Sequence, residues 1–118
     1  MQAKSLGYFG EKVAAQYLGD KGYAILAKNF TVRGGEIDII AQEKNTLVFV
    51  EVKTRSADIF GTGEESFHNL KRHRVHRAIR RYLALKKYQD IPDYRIDLIE
   101  IELEGSKKAR LRHTKDIE

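Results

Sequence analysis

Apolar side chains open the chain at helical spacing. Leu6, Phe9, Val13, Ala14, Tyr17 and Leu18 share one stripe over residues 4–20, and Gly22 stands where such a helix stops. Residues 23–32 read as an extended segment, and Gly34-Gly35 as a turn open to positive φ. The period then shortens to two over residues 36–42 and 47–54. Polar Glu43, Lys44, Asn45 and Thr46 join these runs, which predicts a hairpin, although Lys-Asn is a weaker turn pair than Asn-Gly. Residues 56–65 hold two glycines and no period, as in a mobile loop. Leu70, Val75, Ala78, Ile79, Tyr82, Leu83 and Leu85 mark a second helix over residues 66–87. Beyond Pro92, residues 94–103 alternate as a strand, a turn is expected at 105–108, and a short last strand near 110–114. The order α-β-β-β-α-β-β predicts an α/β chain whose mixed β-sheet is flanked by helices.

The hairpin carries charge where burial is expected. If it closes about Lys44 and Asn45, opposed residues have numbers that sum to 89. Ile37, Ile39 and Ala41 then face Val52, Val50 and Val48 on a wholly apolar side, and the other side sets Glu36 against Lys53 and Asp38 against Glu51. Directly opposed Cβ atoms lie about 4.5–5.5 Å apart, where like charges destabilise a sheet. A hard divalent cation such as Mg²⁺ between Asp38 and Glu51 removes that repulsion. Lys53, on the same face, can then position a water or stabilise charge on a phosphate. The alternative is a hairpin face that meets water, with Glu36 and Lys53 as an ordinary cross-strand ion pair. The apolar residues on both sides of the cluster favour a central pair of strands.

Composition adds a partner class. The 118 residues suit one domain, spanning 1–118, and 42% hydrophobic with 33% charged residues suits a folded chain with a charged surface. A net charge of +5 and a pI near 9.5 favour an anionic partner. With no cysteine, disulfides, Cys-based zinc sites and thiol nucleophiles are excluded. No apolar run reaches the length of a signal peptide core or a membrane span, so no membrane partner is expected and a cytoplasmic location is the default. The densest charge run, from Lys71 to Arg81, shares a helix with the stripe of Val75, Ala78, Ile79 and Tyr82, so Arg72, Arg74 and Arg77 point outward as a cationic ridge. The ridge either meets nucleic-acid phosphates, with binding that weakens steeply in salt, or is a solvated face. His73 and His76 have a zinc-compatible spacing, but the flanking cations argue against a metal there. Asp97 with Arg95 either supports the acidic site from a neighbouring strand or forms an edge ion pair.

Gly35-Glu36-Ile37-Asp38-Ile39-Ile40-Ala41 followed by Val48-Phe49-Val50-Glu51-Val52-Lys53-Thr54-Arg55 resembles the YraN-like uncharacterised proteins. These look like members of the PD-(D/E)xK nuclease superfamily, with the archaeal Holliday junction resolvases as near relatives. The superfamily pattern, an acid on one strand and acid-x-lysine on the next, is matched by Asp38 and by Glu51-Val52-Lys53. Gly10-Glu11 with Ala14 and Ala15, Phe60-Gly61, Lys71 and Arg95-Ile96-Asp97 extend the resemblance over nearly the whole chain. It implies a restriction-endonuclease-like core and a metal-dependent nuclease using Mg²⁺ or Mn²⁺. Glu11, Asp38 and Glu51 would be metal ligands and Lys53 the catalytic lysine; Glu36, which the hairpin pairing sets against Lys53, is read as its outer partner. Arg55 and Lys71 match family positions near the site and join Arg72, Arg74 and Arg77 as phosphate contacts. The resolvase relatives imply DNA, branched DNA included, as the substrate, and their dimers make a homodimer a natural arrangement. On the helical wheel alone, Glu11 reads equally well as a solvent-facing residue, and a fold can outlive its activity. The rival readings are a non-catalytic nucleic-acid-binding module on the same fold and a protein-interaction domain.

Overall fold

A computed structural model describes residues 3–56, 69–105 and 108–118. Helix α1 (Ala3–Asp20) leads into strands β1 (Ala24–Val32), β2 (Gly35–Glu43) and β3 (Thr46–Ser56). Helix α2 (Asn69–Lys86) then precedes β4 (Tyr94–Glu104) and β5 (Lys108–Thr114). The element order is the one the periodicity predicts. The expected loop at 56–65, with Phe60-Gly61, lies outside the described residues except for Ser56, which ends β3.

The five strands form one sheet in the order β1-β2-β3-β4-β5. Pairing is antiparallel except between β3 and β4, which run parallel. A parallel pair needs a long crossover, and α2 lies in that connection. Two apolar cores form, one on each face. Ala14, Ala15 and Leu18 of α1 pack on Ile39, Ala41, Val48, Val50, Ile99 and Ile101. Val75, Ala78, Ile79 and Tyr82 of α2 pack on Ile37, Ile40, Leu47, Phe49 and Ile96. Strands covered on both faces read as nearly continuous apolar runs, as β2 to β4 do. This is the mixed sheet between helices of the restriction-endonuclease-like core.

The hairpin register agrees with the sum of 89 from Glu43↔Thr46 to Ile39↔Val50. The turn is Lys44-Asn45, with Lys44 at φ 54° and its carbonyl accepting from the Gln42 side chain at 2.9 Å. Beyond Ile39 the expectation fails. Instead of continuing the ladder, Val52 N–H donates to Asp38 Oδ2 at 2.8 Å. On the other flank of β2, Asn29 takes φ 52° between the pairs Lys28↔Ile39 and Phe30↔Ile37. The alternation breaks here, and Ile37 belongs to the α2-side core rather than opposing Val52 on the α1 side.

Candidate active site

Two glycines let the helices close on the splayed end of the hairpin. A Cβ on Gly10 would lie 1.6 Å from Thr54 Oγ1, so only glycine lets α1 rest on β3 there, which brings the next residue, Glu11, toward Asp38. A Cβ on Gly35 would lie 2.4 Å from the Arg74 carbonyl and 3.0 Å from Ala78 N, so β2 begins directly beneath α2. Gly34, at φ 78°, makes the turn before it. Asp38 and Glu51 meet between these contacts.

Glu51 is 2% exposed, and the Asp38 carboxyl group lies within hydrogen-bonding reach of it. Burial, then the neighbouring Glu51, pushes the Asp38 carboxyl up to about 7, although the Val52 N–H opposes the shift. Glu11 adds to the rise at electrostatic range. Glu51 is also raised, by burial first, against the pull of Lys71, whose ammonium lies 2.6 Å from Glu51 Oε2. The half-buried Asp38 and the buried Glu51 therefore converge, though not as a ladder pair, and the first residue of the cationic ridge is already bonded to Glu51.

The other candidate residues fall in different places. Lys53 is half-buried on β3, beside Glu100 of β4 in the parallel register. Glu36 does not meet Lys53; it sits opposite Thr31 of β1, is exposed, and has Arg74 Nη2 at 3.7 Å because α2 crosses over the start of β2. Arg55, expected to contact phosphate, is 7% exposed and donates to Glu100 Oε2 at 2.7 Å, while Arg112 holds the other oxygen of Glu100 at 2.7 and 2.9 Å. Arg72 points outward, but its Nε lies 2.9 Å from Glu118, which His76 also contacts at 2.6 Å. Arg77 is exposed and packs over Gly34.

Arg95 and Asp97 form an ion pair at 2.9 Å, on a central strand rather than an edge. Asp97 is wholly buried on the α1 side and also holds His113 at 2.7 Å and the Asp116 N–H at 3.0 Å. Burial pushes its carboxyl up, but His113, Arg95 and the Asp116 N–H outweigh burial and leave it below the usual range. Tyr17 of α1 bonds His113 in turn, at 3.0 Å. Beyond the Arg95–Asp97 pair, this network and the buried Glu100 escape a reading of local patterns. The one signal for Glu100 is an acid amid the alternating apolar residues of β4.

The donor set suits a hard cation. Asp38 and Glu51 offer only carboxylate oxygens, and Mg²⁺ is commonly held by one or two carboxylates, with waters and substrate phosphate completing its shell. Among the described residues no group of three or more acids or histidines is close enough to hold a metal alone. Among the same residues no helix is long and apolar enough to cross a membrane.

The sequence of the uncharacterised protein family UPF0102 matches residues 10–101, a span that holds Glu11, Asp38, Glu51 and Lys53. A UPF0102 protein of Caldanaerobacter subterraneus subsp. tengcongensis is 46% identical over 107 residues, covering 88% of this chain and 84% of its own. One from Alkaliphilus oremlandii is 43% identical over 111 residues, or 93% and 94% of the two chains. One from Clostridium botulinum (strain 657 / Type Ba4) is 41% identical over 98 residues, or 83% and 80%. Matched from Gly10 of α1 to Ile101 of β4, and by relatives at 41–46% identity over most of the chain, the chain belongs to the uncharacterised protein family UPF0102.

Proposed function

We propose that this protein hydrolyses phosphodiester bonds in nucleic acid, with DNA as the expected polymer and Mg²⁺ or Mn²⁺ as cofactor. The observation that carries the reading is the half-buried Asp38 and the buried Glu51, brought together where the ladder between β2 and β3 ends, with a row of cations beside them. Asp38 and Glu51 would hold the metal, with Glu11 reaching it from α1. When bound, the metal supplies charge stabilisation for the phosphate oxygens. Lys53, two residues past Glu51, orients the attacking water and faces the charge that grows on the phosphate. Lys71, displaced from Glu51, turns its ammonium to a flanking phosphate.

Purified protein with Mg²⁺ or Mn²⁺ on branched, flapped, single-stranded and duplex DNA tests the reading. Cleavage should fall by about 10²-fold or more in Asp38→Asn and in Lys53→Ala. Equal cutting by the parent and both variants would assign the activity to a contaminant. One observation favours a second reading, a binding module without turnover: Lys71 already neutralises Glu51 from within the chain. That reading predicts salt-sensitive binding, no divalent-dependent cleavage, and unchanged affinity in Asp38→Asn.

A further inference from the structure

The arginines divide into two sets. Arg55, Arg72, Arg74, Arg95, Arg110 and Arg112 each have a carboxylate within 3.7 Å. Among the described residues Arg33, Arg77, Arg80 and Arg81 have none within 4.0 Å. These same four line one groove of about 680 Å³, whose apolar part is Val32, Ala84 and the half-exposed Leu85. Four guanidinium groups gathered without a counter-charge repel one another, and a bound polyanion relieves that repulsion.

The groove and the acid pair lie against the same helix, α2. Lys71, Arg74, Arg77 and Arg81 follow at steps of three or four along α2, so they share one helix stripe. At about 1.5 Å per residue, Arg81 lies about 15 Å along the axis from Lys71. Planar guanidinium forks match phosphate and carboxylate oxygens alike, so the choice of a sugar–phosphate backbone over an acidic peptide rests on the apolar lining, which suits sugar carbons, and on the acid pair against the same helix.

We propose that the Arg33–Arg77–Arg80–Arg81 groove seats the nucleic-acid backbone to one side of the phosphate held at Asp38 and Glu51. The placement beside a cut bond rests on the hydrolase reading; the backbone seat does not.

The test is binding of a labelled duplex in EDTA across a salt series, in an Asp38→Asn background so that turnover plays no part. Arg80→Ala/Arg81→Ala should weaken binding and lower the slope of log K against log salt by about 2, near 0.9 for each lost phosphate contact. Lys12→Ala/Lys21→Ala removes the same charge from exposed positions on and just past α1 and should leave the slope unchanged. Equal effects from the two double variants, or none from the groove pair, would overturn the proposal. So would equal displacement of the duplex by poly-glutamate at matched charge, which would point to an acidic protein partner. Cleavage assays separate the two readings. A slope difference without any hydrolysis keeps the groove and removes the enzyme, whereas hydrolysis without a slope difference does the reverse.

Discussion

Asp38, half-buried, accepts the Val52 N–H, which ends the ladder, and it lies against the buried carboxyl of Glu51. Its proton therefore couples the site to the stability of the fold. An unfolded chain releases that proton near 3.8, whereas the folded chain keeps it until about 7. Between those values the native state binds more protons, so stability falls as pH rises from about 4 to 7 and then levels off. Glu51, also raised, acts in the same direction. Asp97, lowered by its partners, has the opposite sign, and its contribution is lost only as pH falls below the ordinary carboxylate range. Melts in EDTA at pH 5 and pH 8 should show the parent less stable at pH 8, with Asp38→Asn lacking most of that difference. At pH 8 the variant should exceed the parent by about 1 kcal/mol or more, since one pKa unit corresponds to about 1.4 kcal/mol. The asparagine carbonyl still accepts from Val52 and its amide can donate to Glu51. Adding Mg²⁺ at pH 8 should raise the melting temperature of the parent alone. An Asp38→Asn melt below the parent at pH 8 contradicts this account.

Whole elements are placed by backbone approach. On helix propensity alone, Gly10→Ala would stabilise α1 by about 0.5–1 kcal/mol. The added methyl group instead meets Thr54, so a net loss of about 1–3 kcal/mol is expected, partly recovered in Gly10→Ala/Thr54→Ala. Urea unfolding of the three variants measures the coupling, and a stabilised Gly10→Ala would show that α1 does not rest on β3 as described. Elements of this kind were legible in the sequence wherever one period ran unbroken. Apolar stripes placed both helices, and a two-residue turn fixed pairing from Glu43 to Ile39. The alternation also set Asp38 near Glu51, although the two meet past the end of the ladder rather than as an opposed pair. The side taken by Ile37 did not follow from the alternation, because it depends on a side chain replacing a ladder bond. Arg55 was misread for a related reason: alternation places it on a face, but its partner Glu100 is 45 residues away on a strand brought alongside by a crossover. Glu36 was assigned to Lys53 by extending the ladder past the point where it ends, and α2 supplied Arg74 instead.

Across the whole molecule the two faces of the sheet carry different loads. The α2 side holds the acid pair's ammonium, the cationic stripe and the arginine groove. On the α1 side, Asp97 joins Arg95 and His113, through which Tyr17 of α1, Tyr23 before β1 and Glu43 of β2 are tied to β4 and β5. Removing one partner of such a buried cluster leaves the others uncompensated, so Asp97→Ala should cost about 3–5 kcal/mol. Because the cluster spans elements from both ends of the chain, the loss should appear as one earlier transition. The chain has no tryptophan but six tyrosines, so tyrosine fluorescence and far-ultraviolet dichroism can follow urea unfolding independently. The two signals should shift together. Separate transitions, or a cost below about 1 kcal/mol, would show that the cluster does not bind the halves into one cooperative unit. Below its transition the variant should bind duplex DNA with the parent's salt slope, because every arginine of the groove lies on or beside α2, away from the buried network that Asp97 anchors.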